Sequence, residues 1–364
     1  MSLVVFPFRY DDLDVFERSV RIAASHPSVS SVLAIGDLAP RADVVAEARE
    51  VAGDTPVEVV QQERVGSLRP GKGDAMLTGI RRFLADAAAD RLHFYDADIR
   101  TFSHDWISRA EHALDDGADV AKHWFHRAST DAQITWHITK AGSALLWPDS
   151  RYPDVHQPLG GEFALTRDAA QALWDEPEVR RRSDWGIDTT ITFTLLRSGM
   201  TIHEVFVPEG KAHGSYASLA DLDRMLFECL DALQRLGPIE LPPSGHLIMD
   251  AEGPVTAQIA DSIVYDVAAT RAFLDQPLPP ETEPLLEAHP VLLPDEPAAW
   301  DNDRWGAALR ALLDGFVLGD PVWEAVTFRA WVLRVLHHTD VHVPNGHPAA
   351  LAALAHAVEA IRRS

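Results

Sequence analysis

The feature that most restricts this chain is an alternation in its N-terminal part, where short apolar runs are separated by segments of helical spacing. "SLVVFPF" reads as a buried strand that stops at Pro7, and the stretch from Asp12 to His26 sets Leu13, Phe16, Val20 and Ala23 on one helical side. "SVLAIG" is a second strand, ending on a glycine, and Val44 to Val51 is helical again. "VEVVQQE" is a third strand, Asp74 to Ala89 a helix, and "LHFYDAD" the fourth strand. Strands alternating with helices predict an α/β fold, a mostly parallel sheet with helices on both faces. Ligands bind such sheets beyond the C-terminal strand ends. All four strands finish on polar or turn-forming residues: Pro7 and Arg9, Gly36, Gln62 and Glu63, Asp96 and Asp98.

After Asp105 the order becomes mixed, through "ALLWP", "GGEFALTRDAAQALW" and "IDTTITFTLLRSG", and "TIHEVFVPEGKAH" reads as a strand entering a loop. From about Leu219 the pattern turns helical, interrupted by Pro-rich stretches such as "GPIELPPSG" and "HVPNGHP". The expected organisation is a catalytic domain over residues 1–218 and a smaller helical region over 219–364, with no internal repeat.

Composition narrows the function. A formal net charge of -23 argues against nucleic acid as a partner, because phosphate backbones need clustered cations. No apolar run approaches the roughly 20 residues of a membrane helix, and Arg9, Asp11 and Asp12 interrupt any signal-peptide order, so no membrane partner and a cytoplasmic location are expected. A lone cysteine, Cys229, excludes an internal disulfide and a thiolate metal cluster. Only four lysines occur, Lys72, Lys122, Lys140 and Lys211. A homo-oligomer is compatible with the chain, and nothing in it fixes the number of copies.

Asp96 and Asp98 end a buried strand on two like charges. Aspartate is common at such turns because it caps the next helix. The alternative is a divalent metal: residues two apart on an extended strand share a face, carboxylates suit Mg²⁺ or Mn²⁺, and a dication removes their repulsion. "RVGSLRPGKGDAM" is a loop whose glycines would let backbone approach a phosphate that Arg69 or Lys72 neutralises, although no GxxxxGK[ST] is present and a solvated turn has the same composition. "PEGKAHGSY" sets Lys211 and His213 on a loop after a strand, and a histidine beside a carboxylate metal site is a candidate third ligand. In "HRASTDAQITWHIT", Arg127, Asp131 and Thr135 fall at i, i+4 and i+8, which would align them on one helix face. Such a stripe is either a surface salt bridge or a site for a small polyol acid, with arginine forking the carboxylate. "RRRSDWGIDT" adds Asp184 and Asp188 as candidates for sugar hydroxyls or the reacting centre, behind an arginine triplet that reads as a solvated face or helix terminus.

Together these stretches resemble the mannosylglycerate synthase family of nucleotide-sugar glycosyltransferases. The matching segments include "SLVVFPF", "LRPGKGD", "HFYDADI", "RASTDA", "ALLWP", "QPLGGE", "VRRRSDWGIDT" and "PEGKAH", in order over residues 1 to about 235, with a weaker likeness in "GDPVWEAVTFRAWVLRVL". The resemblance implies a GT-A-type fold, GDP-mannose as donor, D-glycerate as acceptor, and 2-O-α-mannosylglycerate, a compatible solute, formed with retention. It implies that Asp98 and His213 hold a divalent metal, Mg²⁺ or Mn²⁺. Asp96 and Ala97 would lie against the donor, with Lys72, Gln62, Arg9 and Tyr216 in its pocket and Pro7 at the base. Arg127, Asp131 and Thr135 would bind glycerate, Asp188 would lie near the mannose, and Leu159 would offer a backbone carbonyl near the anomeric carbon. Two positions depart from the family pattern: Arg9 stands where lysine is expected, and Gly214-Ser215 where an arginine is expected. Other readings are a different donor or acceptor (GDP-glucose, 3-phosphoglycerate, lactate or glycolate), a nucleotidyltransferase, and a non-catalytic sugar-nucleotide-binding protein.

Overall fold

The computed structural model describes residues 1–9, 12–38, 55–212, 218–242, 246–253, 263–292 and 300–364. The expected helix from Val44 to Val51 lies outside them. The chain divides into two compact units, neither a single run of sequence. The first comprises Met1–His126, Val155–Gly214 and Pro242–Gln258; the second comprises Arg127–Asp154, Ser215–Leu241 and Ile259–Ser364. A single cut after residue 218 therefore does not follow the packing, because residues on both sides of that cut return to each unit.

The first unit is built on one eight-stranded sheet of order β3-β2-β1-β4-β6-β5-β7-β8. The strands are β1 (Ser2–Phe8), β2 (Val29–Gly36), β3 (Val57–Gln61), β4 (Arg91–Phe94), β5 (Val120–Trp124), β6 (Phe163–Thr166), β7 (Ile202–Phe206) and β8 (Leu247–Met249). β8 was not expected; it pairs with β7 inside a region that reads as helical. All neighbours run parallel except β6, which is antiparallel to both β4 and β5. The chain order reverses around β1, which has β2 on one side and β4 on the other. That reversal opens a crevice at the C-terminal ends of β1 and β4.

The first helix, Leu13–Ala24, is capped by Asp12, whose side chain accepts from Asp14 N. It buries Phe16, Val20 and Ala23 of the four apolar positions that the spacing picks out, with Ser19 beside them, and leaves Leu13 half-buried. Each such apolar side chain is worth about 1.5–3 kcal/mol against the sheet. Pro7 belongs to β1, which runs one residue past it. Val5 O accepts from Tyr95 N, so odd positions of β1 face β4. β4 pairs with β1 only as far as Val5 and Phe94, and the missing N–H of Pro7 therefore costs no ladder bond.

The second unit is mainly helical, with Asp223–Leu236, Asn302–Gly315, Pro321–Val341 and His347–Arg362 as its longer helices. Trp300, Trp305 and Trp331 are fully buried there. Arg334 is buried with them and donates to Trp300 O and Asn302 Oδ1, both at 2.7 Å. Thr135–Lys140 forms a π-helix, whose wide turn displaces carbonyls from their usual partners. The indole of Trp305 supplies one partner, donating to His137 O at 3.0 Å.

Candidate active site

The sheet topology decides which residues meet in the crevice. β4 ends at Phe94, and Asp96 and Asp98 lie in the turn that follows. The expectation of two carboxylates sharing one face of a strand is thus corrected: the pairing with β1 and β6 runs out before either aspartate. Because β6 is antiparallel, Phe163 opens it directly opposite Phe94. Glu162, the preceding residue, is thereby brought to the same edge. Lys122 pairs with Phe163 from β5, and Lys211 follows the end of β7.

These residues form a chain of ion pairs. Lys72 Nζ lies 3.1 Å from Asp96 Oδ1 and 3.2 Å from Asp188 Oδ2. Lys211 Nζ bridges Asp96 Oδ2 and Glu162 Oε1, each at 2.6 Å. Lys122 Nζ donates to Gly160 O at 2.7 Å. Glu162 is fully buried, and Asp188 and Lys122 nearly so. Three of the chain's four lysines therefore converge with three acids in one region of low exposure.

The charge states follow from burial set against pairing. Burial alone would lower the pKa of Lys72, but Asp188, Asp96 and Glu162 outweigh it and hold the ammonium charged. Burial would raise Asp96, yet Lys211 and Lys72 keep its carboxyl well below the usual range. For Glu162 and Asp188 burial wins, and both are pushed up despite their lysines. With Lys72 charged and 3.2 Å from Asp188, the ion pair is the operative description of that contact. Lys122 is pushed down by burial, since a carbonyl rather than a carboxylate accepts its hydrogen bond. Asp188 Oδ1 is buried without a hydrogen-bond partner among the described residues.

Local structure explains how these side chains are aimed. Lys72 opens the helix Lys72–Ala85, so its position is set by the preceding loop. Asp74 organises that loop: Oδ1 accepts from Val65 N and Gly66 N at 3.0 and 2.9 Å, and Oδ2 pairs with Arg64 at 2.6 Å. Gly66 and Gly73 permit close packing on residues 181–183; a Cβ on Gly73 would lie 2.5 Å from Arg182 O. Their visible task is this backbone approach. Gly161 leaves room for the cluster, since a Cβ there would sit 2.3 Å from Lys72 Nζ. Asp188 lies in the first turn of the helix Ile187–Arg197, and Asp184 accepts from Gly186 N just before it. Arg182 is buried, which corrects the reading of the arginine triplet as a solvated face; Arg180 and Arg181 do end the helix Pro177–Arg181.

The turn before β6 is fixed carbonyl by carbonyl. Gln157 O accepts from Gly160 N at 2.9 Å, Pro158 O from Thr192 Oγ1 at 2.8 Å, and Gly160 O from Lys122. Leu159 O, between them, accepts no hydrogen bond from the described residues, and Leu159 is half-buried. Gln62 follows β3 with its N–H on Gly36 O at 2.8 Å, and Arg9 is exposed after β1. Ala97 is buried between the two aspartates. Asp98 is half-buried and makes no hydrogen bond or ion pair among the described residues. An uncommitted carboxylate is a fitting hard oxygen donor for Mg²⁺ or Mn²⁺. Among the described residues no three His, Cys, Asp or Glu side chains gather as a metal cluster. His213 and Tyr216 lie outside them.

Arg127, Asp131 and Thr135 belong to the second unit. They do not share a helix face: Arg127 and Asp131 sit in a turn, Ala132 has a φ of 54°, and only Thr135 is helical, opening the π-helix. The turn nevertheless joins the first two, with Arg127 Nη1 3.0 Å from Asp131 Oδ2. Sequence reasoning gave no role to Glu162 or Lys122. The scarcity of lysine and the Gly-Gly-Glu triplet before a strand are the signals that would have found them.

Among the described residues no helix is long and apolar enough to cross a membrane. The chain resembles solved glucosyl-3-phosphoglycerate synthase from Mycobacterium tuberculosis in complex with phosphoglyceric acid, with a TM-score of 0.52 and 18% identity over 66% of this chain and 81% of that one. The same enzyme with Mn²⁺, UDP-glucose and phosphoglyceric acid gives 0.51 at 18% identity, over 66% and 80%. That likeness establishes the GT-A glycosyltransferase fold. Residues 2–235 match the mannosylglycerate synthase GT domain, and residues 259–358 the mannosylglycerate synthase C-terminal domain. The mannosylglycerate synthase of Rhodothermus marinus is 44% identical over 356 residues, covering 93% of this chain and 89% of the relative. That of Selaginella moellendorffii is 43% identical over 370 residues, covering 97% and 88%. With both of its parts matched in order, the chain belongs to the mannosylglycerate synthase family and is a hexosyltransferase.

Proposed function

We propose that this hexosyltransferase moves mannose from GDP-mannose to the 2-hydroxyl of D-glycerate, retaining the anomeric configuration. The observation that carries the reading is Asp188, a buried carboxylate with one oxygen on Lys72 and the other without a partner among the described residues. Buried polar atoms are nearly always satisfied, and a sugar hydroxyl would complete this one. Lys72 then lies between the sugar side and Asp96, where charge on a departing diphosphate would develop. The family supports mannose and glycerate as the groups joined, its resemblance implies guanine in the donor, and the residues are in keeping with a diphosphate and a polyol.

A bound Mg²⁺ or Mn²⁺, held by Asp98 and His213, would neutralise charge on the diphosphate. The solved neighbour that carries Mn²⁺, UDP-glucose and phosphoglyceric acid is in keeping with that use of the fold. The chain's own residues do the rest. Lys72 supports the leaving phosphate, and Asp188 fixes the sugar. Leu159 presents an uncommitted carbonyl toward growing positive charge, held in place by the clamped carbonyls of Pro158 and Gly160. A neutral amide carbonyl is a poor nucleophile, so the glycerate oxygen attacks on the face the phosphate leaves. The C1–O bond to phosphate breaks, the C1–O2 bond to glycerate forms, and the hydroxyl proton passes to the departing phosphate oxygen. Arg127 pairs with the glycerate carboxylate, while Asp131 and Thr135 hold its hydroxyls.

The test is GDP release across a matrix of nucleotide sugars and 2-hydroxy acids, with and without EDTA. GDP-mannose with D-glycerate should give the highest kcat/KM, and EDTA should abolish it. No turnover of that pair would remove the assignment.

A further inference from the structure

Within the second unit, Ser129 lies midway along the turn that joins Arg127 to Asp131, and it is 4% exposed. Its N–H donates to His347 Nδ1 at 3.1 Å, and its carbonyl accepts from His338 Nε2 at 3.0 Å. The two imidazoles come from different helices, Pro321–Val341 and His347–Arg362. A backbone carbonyl can only accept and a backbone N–H can only donate. His338 must therefore carry its proton on Nε2, and His347 must keep Nδ1 bare. Burial lowers His338 to about 4, with the Ser129 carbonyl opposing and His342 and Arg334 reinforcing the shift, so the ring that donates from Nε2 is neutral.

The turn closes without them, since Asp131 N donates to Ala128 O at 2.9 Å and Gln133 Nε2 to the carbonyls of Ser129 and Asp131 at 3.1 Å. What the histidines add is the location of that closed turn on the two helices. We propose that His338 and His347 are positioning residues for the acceptor: they fix Ser129, and through it the Arg127–Asp131 pair, where the 2-hydroxy acid is received. The proposal rests on the reading of Arg127 and Asp131 as acceptor residues. A fork-like guanidinium discriminates by direction, so small displacement of its turn weakens carboxylate capture more than it weakens the fold.

The test exploits which ring nitrogen each histidine uses. A glutamine amide nitrogen reaches the place of Nε2, and an asparagine amide oxygen the place of Nδ1. Steady-state kinetics with GDP-mannose and D-glycerate are compared for His338→Gln, His338→Asn, His347→Asn and His347→Gln, with thermal midpoints recorded alongside. His338→Gln and His347→Asn should keep the acceptor KM within about twofold, whereas His338→Asn and His347→Gln should raise it about tenfold. The donor KM and the slow hydrolysis of GDP-mannose without acceptor should stay constant in all four. If the two substitutions at each position behave alike, or if donor KM moves with acceptor KM, the histidines only pack the fold and the proposal is overturned. Arg127→Met separates the two layers. An unchanged acceptor KM in that variant sinks the acceptor reading itself, while a raised one alongside matched histidine variants sinks only the positioning role.

Discussion

Two buried polar regions of this chain solve the problem of taking titratable groups out of water in opposite ways. In the first unit, Lys72 and Asp96 are held charged by opposite charges at 2.6–3.2 Å, and Lys211, Glu162 and Asp188 complete the chain of pairs although burial pushes the last two acids up. In the second, His137 and His338 are driven neutral, His137 by burial beside Arg334 and other histidines, and His338 to about 4. Compensated charge is costly to assemble and useful where a reaction moves charge. Neutral imidazoles carry no field to spare, but each can donate at one nitrogen and accept at the other, which suits them to fixing backbone. On the proposed function, the first region is where the reaction takes place and the second is where the acceptor is placed.

The largest effect should come from removing the central cation. Lys72→Met leaves Asp96 and Asp188 facing each other with no counter-charge between them, and turnover should fall by at least about 10²–10³. Arg334→Met, the corresponding deletion in the second unit, strands Trp300 O and should cost about 1–3 kcal/mol of stability without touching the donor KM. GDP release and urea unfolding on both variants check the pair, and equal kinetic damage from both would break the contrast.

Acidification comes next. His123, fully buried in the first unit, is also held down at about 4, by burial against hydrogen bonds to the Trp106 and Glu162 carbonyls. The unfolded chain binds protons on these two imidazoles below its ordinary pKa of 6.5, and the native state does so only near 4. Stability is therefore complete above 6.5 and drains as pH falls from 6.5 to 4, by at most about 3 kcal/mol for each histidine. Unfolding free energies at pH 7.5 and 4.5 should differ in that direction, and His338→Gln should remove only the part of the difference that this ring contributes, His123 and His137 keeping theirs. A flat profile would contradict the neutral state assigned to both rings.

Gly161→Ala probes geometry alone. The added methyl meets the tip of Lys72, which can swing aside, so the fold should survive while turnover drops by about 10-fold or more through the displaced ammonium. The smallest effect on stability belongs to Asp98. Asp74→Asn loosens the loop before Lys72 and should cost about 1.5–3 kcal/mol. Asp98→Asn, at a carboxylate with no protein partner among the described residues, should stay within about 0.5 kcal/mol yet lose metal-supported turnover. Melting curves with and without Mn²⁺ distinguish the two aspartates.

The sequence carried the sheet's first four strands because the apolar runs of β1, β2 and β4 are largely buried, while β3 buries only Val60 and is marked by its β-branched residues. It carried Lys72, Asp96, Asp98 and Asp188 as site candidates because each follows a strand or opens a helix at the edge where ligands bind. It failed where pairing, rather than propensity, sets the ends. Asp96 and Asp98 lie beyond β4 because their neighbours stop at Phe94. The i, i+4, i+8 spacing of Arg127, Asp131 and Thr135 fits a helix, but Ala132 at positive φ breaks it. Glu162 reaches the site only because β6 runs antiparallel, a fact of topology that no local window contains. His338 and His347 meet Ser129 across more than two hundred residues, and among 17 histidines nothing local marks them.

The most direct test of the account follows both products in one tube by ³¹P and ¹H NMR, starting from GDP-mannose and D-glycerate. The account predicts GDP and an α-linked mannosyl group on glycerate O2 appearing one for one, with neither formed by Lys72→Met. A β-linked product, GDP accompanied only by free mannose, or full turnover without Lys72 would contradict it.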